Sequence, residues 1–266
     1  MAVPEAVKPL LDGLVALVRD RFGKRLTSVF LHGSLAHGGF STRLSDVDAC
    51  VVLADPLEEG DGPALVAITG ELAERFPRFG PRLSLFWATE SILKGESSGG
   101  RLGAVDLADL AQNGELLWGS DVRSVIRQSA REQLMAAMHA DMMDRWKRRV
   151  TPFAGREALE AGHGAELDER TLLKICLYPA RFLFTAETGR VVGNDEAAEH
   201  FASRAGEPLA GAVRLACEIR NRTQGPEIGS GASEEEIGRL AASFQPLVAR
   251  FFTELTQRFG LEAPRA

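Results

Sequence analysis

The sequence predicts an α/β unit followed by an all-helical bundle, an α+β chain overall. Two patterns and one segment support this. Residues 1–123 alternate short apolar runs with helical repeats, and residues 124–266 read as helix throughout. Residues 31–52 place a glycine-serine turn and two aspartates between two apolar runs of strand length.

The elements follow in order. Residues 6–22 carry Leu10, Leu11, Leu14, Leu17 and Val18 at helical spacing. Leu26–Leu31 and Val47–Leu53 read as buried strands. Pro63 opens a helix that Pro77 ends, and Arg82–Ala88 is a third strand. A helix, an Asn113-Gly114 turn and a strand close the first half. In the second half, one helix is expected from Ser124 to about Val150, a loop over 151–167, and helices near 169–187, 195–204, 207–222 and 233–259. Pro179 removes one backbone hydrogen bond inside its helix and should kink it.

Composition narrows the function. The chain has 266 residues, 45% hydrophobic, with a net charge of −6. That balance is globular and argues against a dedicated nucleic-acid binder, which carries basic stripes. No apolar run reaches the roughly 20 residues of a membrane span, and the N-terminus lacks the basic start of a signal peptide. Neither a membrane nor a nucleic acid is an expected partner. Cys50, Cys176 and Cys217 are odd in number and far apart, which suggests neither a zinc site nor a disulfide framework. A cytoplasmic protein is expected. The acid is uneven: residues 1–125 hold 12 basic and 17 acidic side chains, against 19 and 20 in the remainder.

The chemistry concentrates in LHGSLAHGGFSTRLSDVDACVV. A strand ends at Leu31, and the Gly33-Ser34 turn offers backbone N–H groups and a hydroxyl to a phosphate. Asp46 and Asp48 lie at positions i and i+2 around the start of the next strand, so both carboxylates share one face. Uncompensated, they repel each other. Mg²⁺ takes one or two such oxygen ligands together with nucleotide phosphates. A phosphate turn and a D-x-D pair in one unit point to metal-assisted phosphoryl chemistry on a nucleoside triphosphate.

Gly33-Ser34-x-x-x-Gly38, seven residues, then Asp46-x-Asp48 resembles the signature of the polymerase-beta-like nucleotidyltransferases, and Ser45-Asp46-Val47-Asp48 matches its S-D-x-D form. Within them the chain is most similar to the aminoglycoside adenylyltransferases of the streptomycin/spectinomycin type. GELLWGSD at 114–121, Asp168-Glu169-Arg170 and ARFLFTAETG at 180–189 extend the likeness. The resemblance implies a mixed sheet flanked by helices, followed by a helical domain. It implies transfer of AMP from ATP to a hydroxyl of a small, cationic acceptor, with release of pyrophosphate. Gly33, Ser34, Ser45 and Arg181 would then contact the nucleotide. Asp46 and Asp48 would be catalytic and hold Mg²⁺. Asp168 would face the cationic acceptor. A monomer is expected rather than a homodimer.

The chain departs from the resembled pattern in three places. Ser84 stands where a third carboxylate is expected, and serine neither ligates Mg²⁺ well nor takes a proton near neutral pH. Glu90 and Asp106 are the nearest acidic candidates downstream, neither placed by spacing. Asn194 replaces an expected lysine, for which Arg190 could substitute, and Cys217 replaces a tyrosine. Two alternatives follow from these losses. One is a protein that binds triphosphate and Mg²⁺ but transfers poorly. The other is a modifier of a protein partner in a toxin–antitoxin-like pair. His32 and His37 beside the turn are expected to pack or to touch the nucleotide edge.

Overall fold

The computed structural model describes residues 3–149, 169–222 and 231–260. It divides into two compact units, one of residues 1–40 and 45–129, the other of residues 41–44 and 130–266.

In the first unit the helix α1 (Lys8–Phe22) begins with proline in its first turn and buries Leu10, Leu11, Leu14, Val18 and Phe22. Proline is tolerated there because its missing N–H would have no helical partner. The strands β1 (Leu26–His32), β2 (Val47–Leu53), β3 (Leu83–Thr89) and β4 (Glu115–Gly119) form one mixed sheet in the order β3-β2-β1-β4. The β1–β2 and β1–β4 pairs are antiparallel, and β2–β3 is parallel.

Both faces of the sheet are covered. Val29, Leu31, Val47, Ala49, Val51, Leu83 and Leu85 join residues of α1 and α2 (Asp61–Arg75) in one core. Phe30, Cys50, Val52 and Ala88 alternate with them. They meet Ile92 and Leu93 of the short α3 (Glu90–Leu93) and Leu110 of α4 (Ala104–Asn113). Strand side chains alternate by two, so β1, β2 and β3 each feed both cores. At the start of α2, Arg25 donates from Nη1 and Nη2 to the two Asp61 oxygens, each at 2.8 Å, and the Glu58 N–H donates to Asp61 at 2.8 Å. A nearly fully buried carboxylate is thereby satisfied.

The second unit holds α5 (Arg131–Arg149), α6 (Glu169–Thr188), α7 (Asn194–Ala202), α8 (Leu209–Arg222) and α9 (Glu234–Phe259). The helix expected from Ser124 begins later. A 3-10 turn covers Arg123–Val125, and the Arg127 N–H then donates to the Leu93 carbonyl at 2.8 Å. That bond uses an N–H in a direction a continuous helix would not allow, so α5 starts at Arg131. α6 runs unbroken through the buried Pro179. Glu187 near its end accepts from His200 at 2.7 Å and pairs with Arg204 and Arg258, tying α6 to α7 and α9. Ser41–Leu44 joins this unit: Arg43 pairs with Glu169, and Arg170 Nε donates to the Leu44 carbonyl at 2.9 Å. The expected loop at 151–167 lies outside the described residues. Among the described residues, no helix is long and apolar enough to cross a membrane.

Candidate active site

The ends of β1 and β2 carry the sequence motif. β1 stops at His32, and Gly33–Leu35 forms a 3-10 turn closed by the Ala36 and His37 N–H groups donating to the Gly33 carbonyl. Gly33 has φ +66°, a left-handed conformation that glycine adopts without strain. A Cβ at this position would stand 2.4 Å from Asp48 Oδ2. The glycine is therefore required twice, by its backbone angle and by the carboxylate packed against it.

The Gly33 N–H donates to Asp109 Oδ2 at 2.6 Å. What Gly33 supplies is room and curvature. The half-buried Ser34 hydroxyl makes no hydrogen bond to another described residue, so it is available as a donor. Ser45 is buried, and its carbonyl accepts from Arg82 Nη1 at 3.1 Å.

Asp46 stands one residue before β2 and Asp48 is its second residue; both are half-buried. Val47 between them is fully buried in the opposite core. Register puts His32 of β1 on one side of Asp48 and Ser84 of β3 on the other. Paired residues of neighbouring strands share a face, so His32, Asp48 and Ser84 form a row. Ser84 lies directly beside Asp48, and β3 carries no acidic residue.

Helix α4 brings two further acids to this face. Asp109 accepts from Gly33 through Oδ2 and from Asn113 Nδ2 through Oδ1 at 2.7 Å, and its Oδ2 lies 3.7 Å from His32 Nδ1. Burial raises its pKa, but His32, His37 and Asn113 outweigh that and hold the carboxyl at about 2. Asp106, one turn earlier, accepts from the Gly103 N–H at 3.2 Å as a helix cap. Its charge is felt at both Asp48 and His32. Glu90, the other candidate, pairs instead with Lys94 near the surface. The spacing 106, 109, 113 is that of one helix face, a signal present in the sequence and not used there for Asp109.

The electrostatics favour a cation. Burial pushes the Asp48 carboxyl up to about 6, with Asp46, Asp106 and Asp109 adding to the rise and His32 opposing it. Burial lowers the pKa of His32, yet Asp109, Asp48 and Asp106 together raise it. His32 Nε2 is buried without a hydrogen-bond partner. A carboxylate so crowded by negative charge is relieved by a divalent ion. Among the described residues, no three acidic, histidine or cysteine side chains are grouped to hold a metal by themselves. Two carboxylates fit Mg²⁺ that arrives with nucleotide phosphates, which complete its oxygen shell.

Gly33, Ser34, Ser45, Asp46 and Asp48 thus come together in the first unit. Arg181 lies on α6 in the second, and Asp168 lies outside the described residues. Arg190, the expected substitute for a lysine at Asn194, pairs with Glu196 at 3.0 Å and stacks over Phe184. Cys217 Sγ faces the Asn194 carbonyl at 3.6 Å. The described cysteines are free and buried, and burial pushes the Cys50 and Cys176 thiols up to about 12.

Among solved structures, spectinomycin adenyltransferase AAD(9) from Enterococcus faecialis, crystallised with ATP and spectinomycin, matches 91% of this chain and 99% of its own. The TM-score is 0.58 at 13% identity. The chain has a nucleotidyltransferase-like fold with a helical second region. Two toxin–antitoxin structures, an MntA-HpeT mutant and one with AMP-PNP, match 53% of this chain at TM-scores of 0.29 and 0.30, too low to bear on the fold. No protein-family model and no curated protein matches the sequence.

Proposed function

We propose that the protein is a nucleotidyltransferase that moves AMP from ATP to a hydroxyl of a small, cationic acceptor such as an aminoglycoside. The observation that carries this reading is the row at the ends of β1 and β2. Gly33 is packed on Asp48, the Ser34 hydroxyl makes no hydrogen bond to another described residue, and Asp48 is crowded by the charges of Asp46, Asp106 and Asp109. The fold shared with an adenyltransferase supports it.

In this reaction the acceptor oxygen bonds to the α-phosphorus, the α–β phosphoanhydride bond breaks, and pyrophosphate leaves. The hydroxyl proton passes to a carboxylate or to water. Bound Mg²⁺ would neutralise charge on the phosphates. Ser34 would donate to a phosphate oxygen, and Asp46 and Asp48 would hold the ion that orients the nucleotide. Asp109 fixes the turn through the Gly33 N–H. Positioning and charge neutralisation supply much of phosphoryl-transfer catalysis.

The test is incubation with ATP, Mg²⁺ and a panel of aminoglycosides and other aminocyclitols. Pyrophosphate release and a product heavier by AMP are expected, and both should vanish in Asp46→Asn/Asp48→Asn. No release with any acceptor rejects the aminoglycoside assignment. A second reading, ATP binding with little transfer, is favoured by the serine beside Asp48. Under that reading ATP binds without turnover and Ser84→Glu restores nothing. A large gain of activity in Ser84→Glu would instead mean that only the base is missing.

A further inference from the structure

The helical unit contains a cavity of about 150 Å³, lined by α6, by the end of α7 with the turn after it, and by α9. Its lining includes none of the residues assigned above to the nucleotide, the metal or the acceptor. Two carboxylates are its deeper charges. The Glu187 and Glu254 side chains are 15% and 11% exposed, against 48%, 47% and 37% for Arg204, Arg250 and Arg258. The guanidiniums are therefore the charges that a solute meets first.

The carboxylate oxygens are already engaged. Glu187 Oε1 accepts from Arg258, and its Oε2 accepts from Arg204 and faces His200 Nε2 at 2.7 Å. Glu254 Oε1 accepts from Arg250 Nε at 2.5 Å, and its Oε2 pairs with Arg258 Nη2 at 3.0 Å. Burial raises the Glu187 pKa, but His200, Arg258 and Arg204 outweigh it and hold the carboxyl below its ordinary value. The donors are not used up. A guanidinium carries five N–H groups. Arg250 commits only Nε, and Arg204 only Nη1, to a partner among the described residues. Three guanidiniums against two carboxylates leave one positive charge with His200 neutral. A monoanion cancels that charge, and a dianion reverses it.

The rest of the wall is apolar. Leu183 and Phe201 are buried and line the same cavity. An apolar cavity of this volume takes a molecule of roughly benzene size. A carboxylate suits the forked N–H groups, and a short apolar body on Leu183 and Phe201 is removed from water.

We propose that this cavity binds a small monocarboxylate, held by Arg204 and Arg250 with its apolar body on Leu183 and Phe201. The site stands apart from the nucleotide reading and needs neither ATP nor Mg²⁺.

The experiment is calorimetric titration of the full chain without nucleotide, at constant ionic strength, using benzoate, benzamide and inorganic phosphate. Benzamide keeps the shape and lacks the charge, while phosphate keeps a charge and lacks the apolar body. Wild type is expected to bind benzoate saturably with a Kd below about 10 mM, and about tenfold or more tightly than either of the others. Arg204→Gln and Arg250→Gln should each weaken benzoate about tenfold. In each, the facing carboxylate keeps Arg258 as a partner. Ala205→Leu fills the cavity from its wall and should abolish binding with every arginine in place. Circular dichroism establishes which variants fold, and the comparison of the three ligands on wild type needs none of them. No saturation by benzoate overturns the site, as does benzoate binding within about twofold of wild type in the folded variants. Benzamide bound as tightly as benzoate overturns the role of the arginines, and phosphate bound more tightly overturns the carboxylate assignment.

Discussion

Gly33 shows how one residue can satisfy two constraints. Its φ of +66° costs other residues roughly 1–2 kcal/mol, and any Cβ there collides with Asp48. Gly33→Ala is expected to lower the thermal midpoint and to abolish ATP binding, because Asp48 must move. Titration calorimetry beside a melting curve checks both, and unchanged ATP affinity would count against the placement. Asp109 is the second decisive residue. Its carboxyl is held at about 2, below the usual 3.8, so the folded state holds that proton less tightly than the unfolded chain. The stabilisation is complete above about pH 4 and is lost as the pH falls toward 2. Asp109→Asn should therefore cost roughly 1–3 kcal/mol at neutral pH, and its melting point should approach that of wild type in acid. A gap that stays constant from pH 6 to pH 2.5 would show that the carboxylate charge is not responsible.

At the scale of elements, helix ends and strand register matter most. Ser233 caps α9, accepting from the Glu236 N–H at 3.3 Å while Glu236 accepts from the Ser233 N–H at 2.9 Å. Ser233→Ala should cost about 1 kcal/mol, visible as a lower urea midpoint with an unchanged slope. The strands at Leu26, Val47 and Leu83 were legible from their apolar runs, and the Asn113-Gly114 turn from its residues. Helix α5 was not. Its apolar pattern continues back to Ser124, but the Arg127 N–H is drawn to the Leu93 carbonyl, a partner more than thirty residues away that no local pattern contains.

At the scale of the molecule, a ligand that binds only the folded state stabilises it by mass action. ATP–Mg²⁺ at a hundred times its dissociation constant should add about 2.7 kcal/mol, or a rise in melting temperature of roughly 5–10 °C. The rise should disappear in Asp46→Asn/Asp48→Asn. Mg²⁺ alone should give a much smaller rise, since two carboxylates do not make a complete cage.

The sequence by itself determined the strands, most of the helices and the glycine-serine turn, and set Asp46 and Asp48 two residues apart. These depend on periods of two and 3.6 residues and on the conformational freedom of glycine, all local properties of the chain. Only the tertiary structure decided what surrounds them. Strand register put His32 and Ser84 on either side of Asp48. The packing of α4 carried Asp109 to the Gly33 N–H across 76 residues, where its carboxylate accepts a hydrogen bond. Charge adds up through space rather than along the chain, so the crowding that raises the Asp48 carboxyl exists only once those distant acids are brought together.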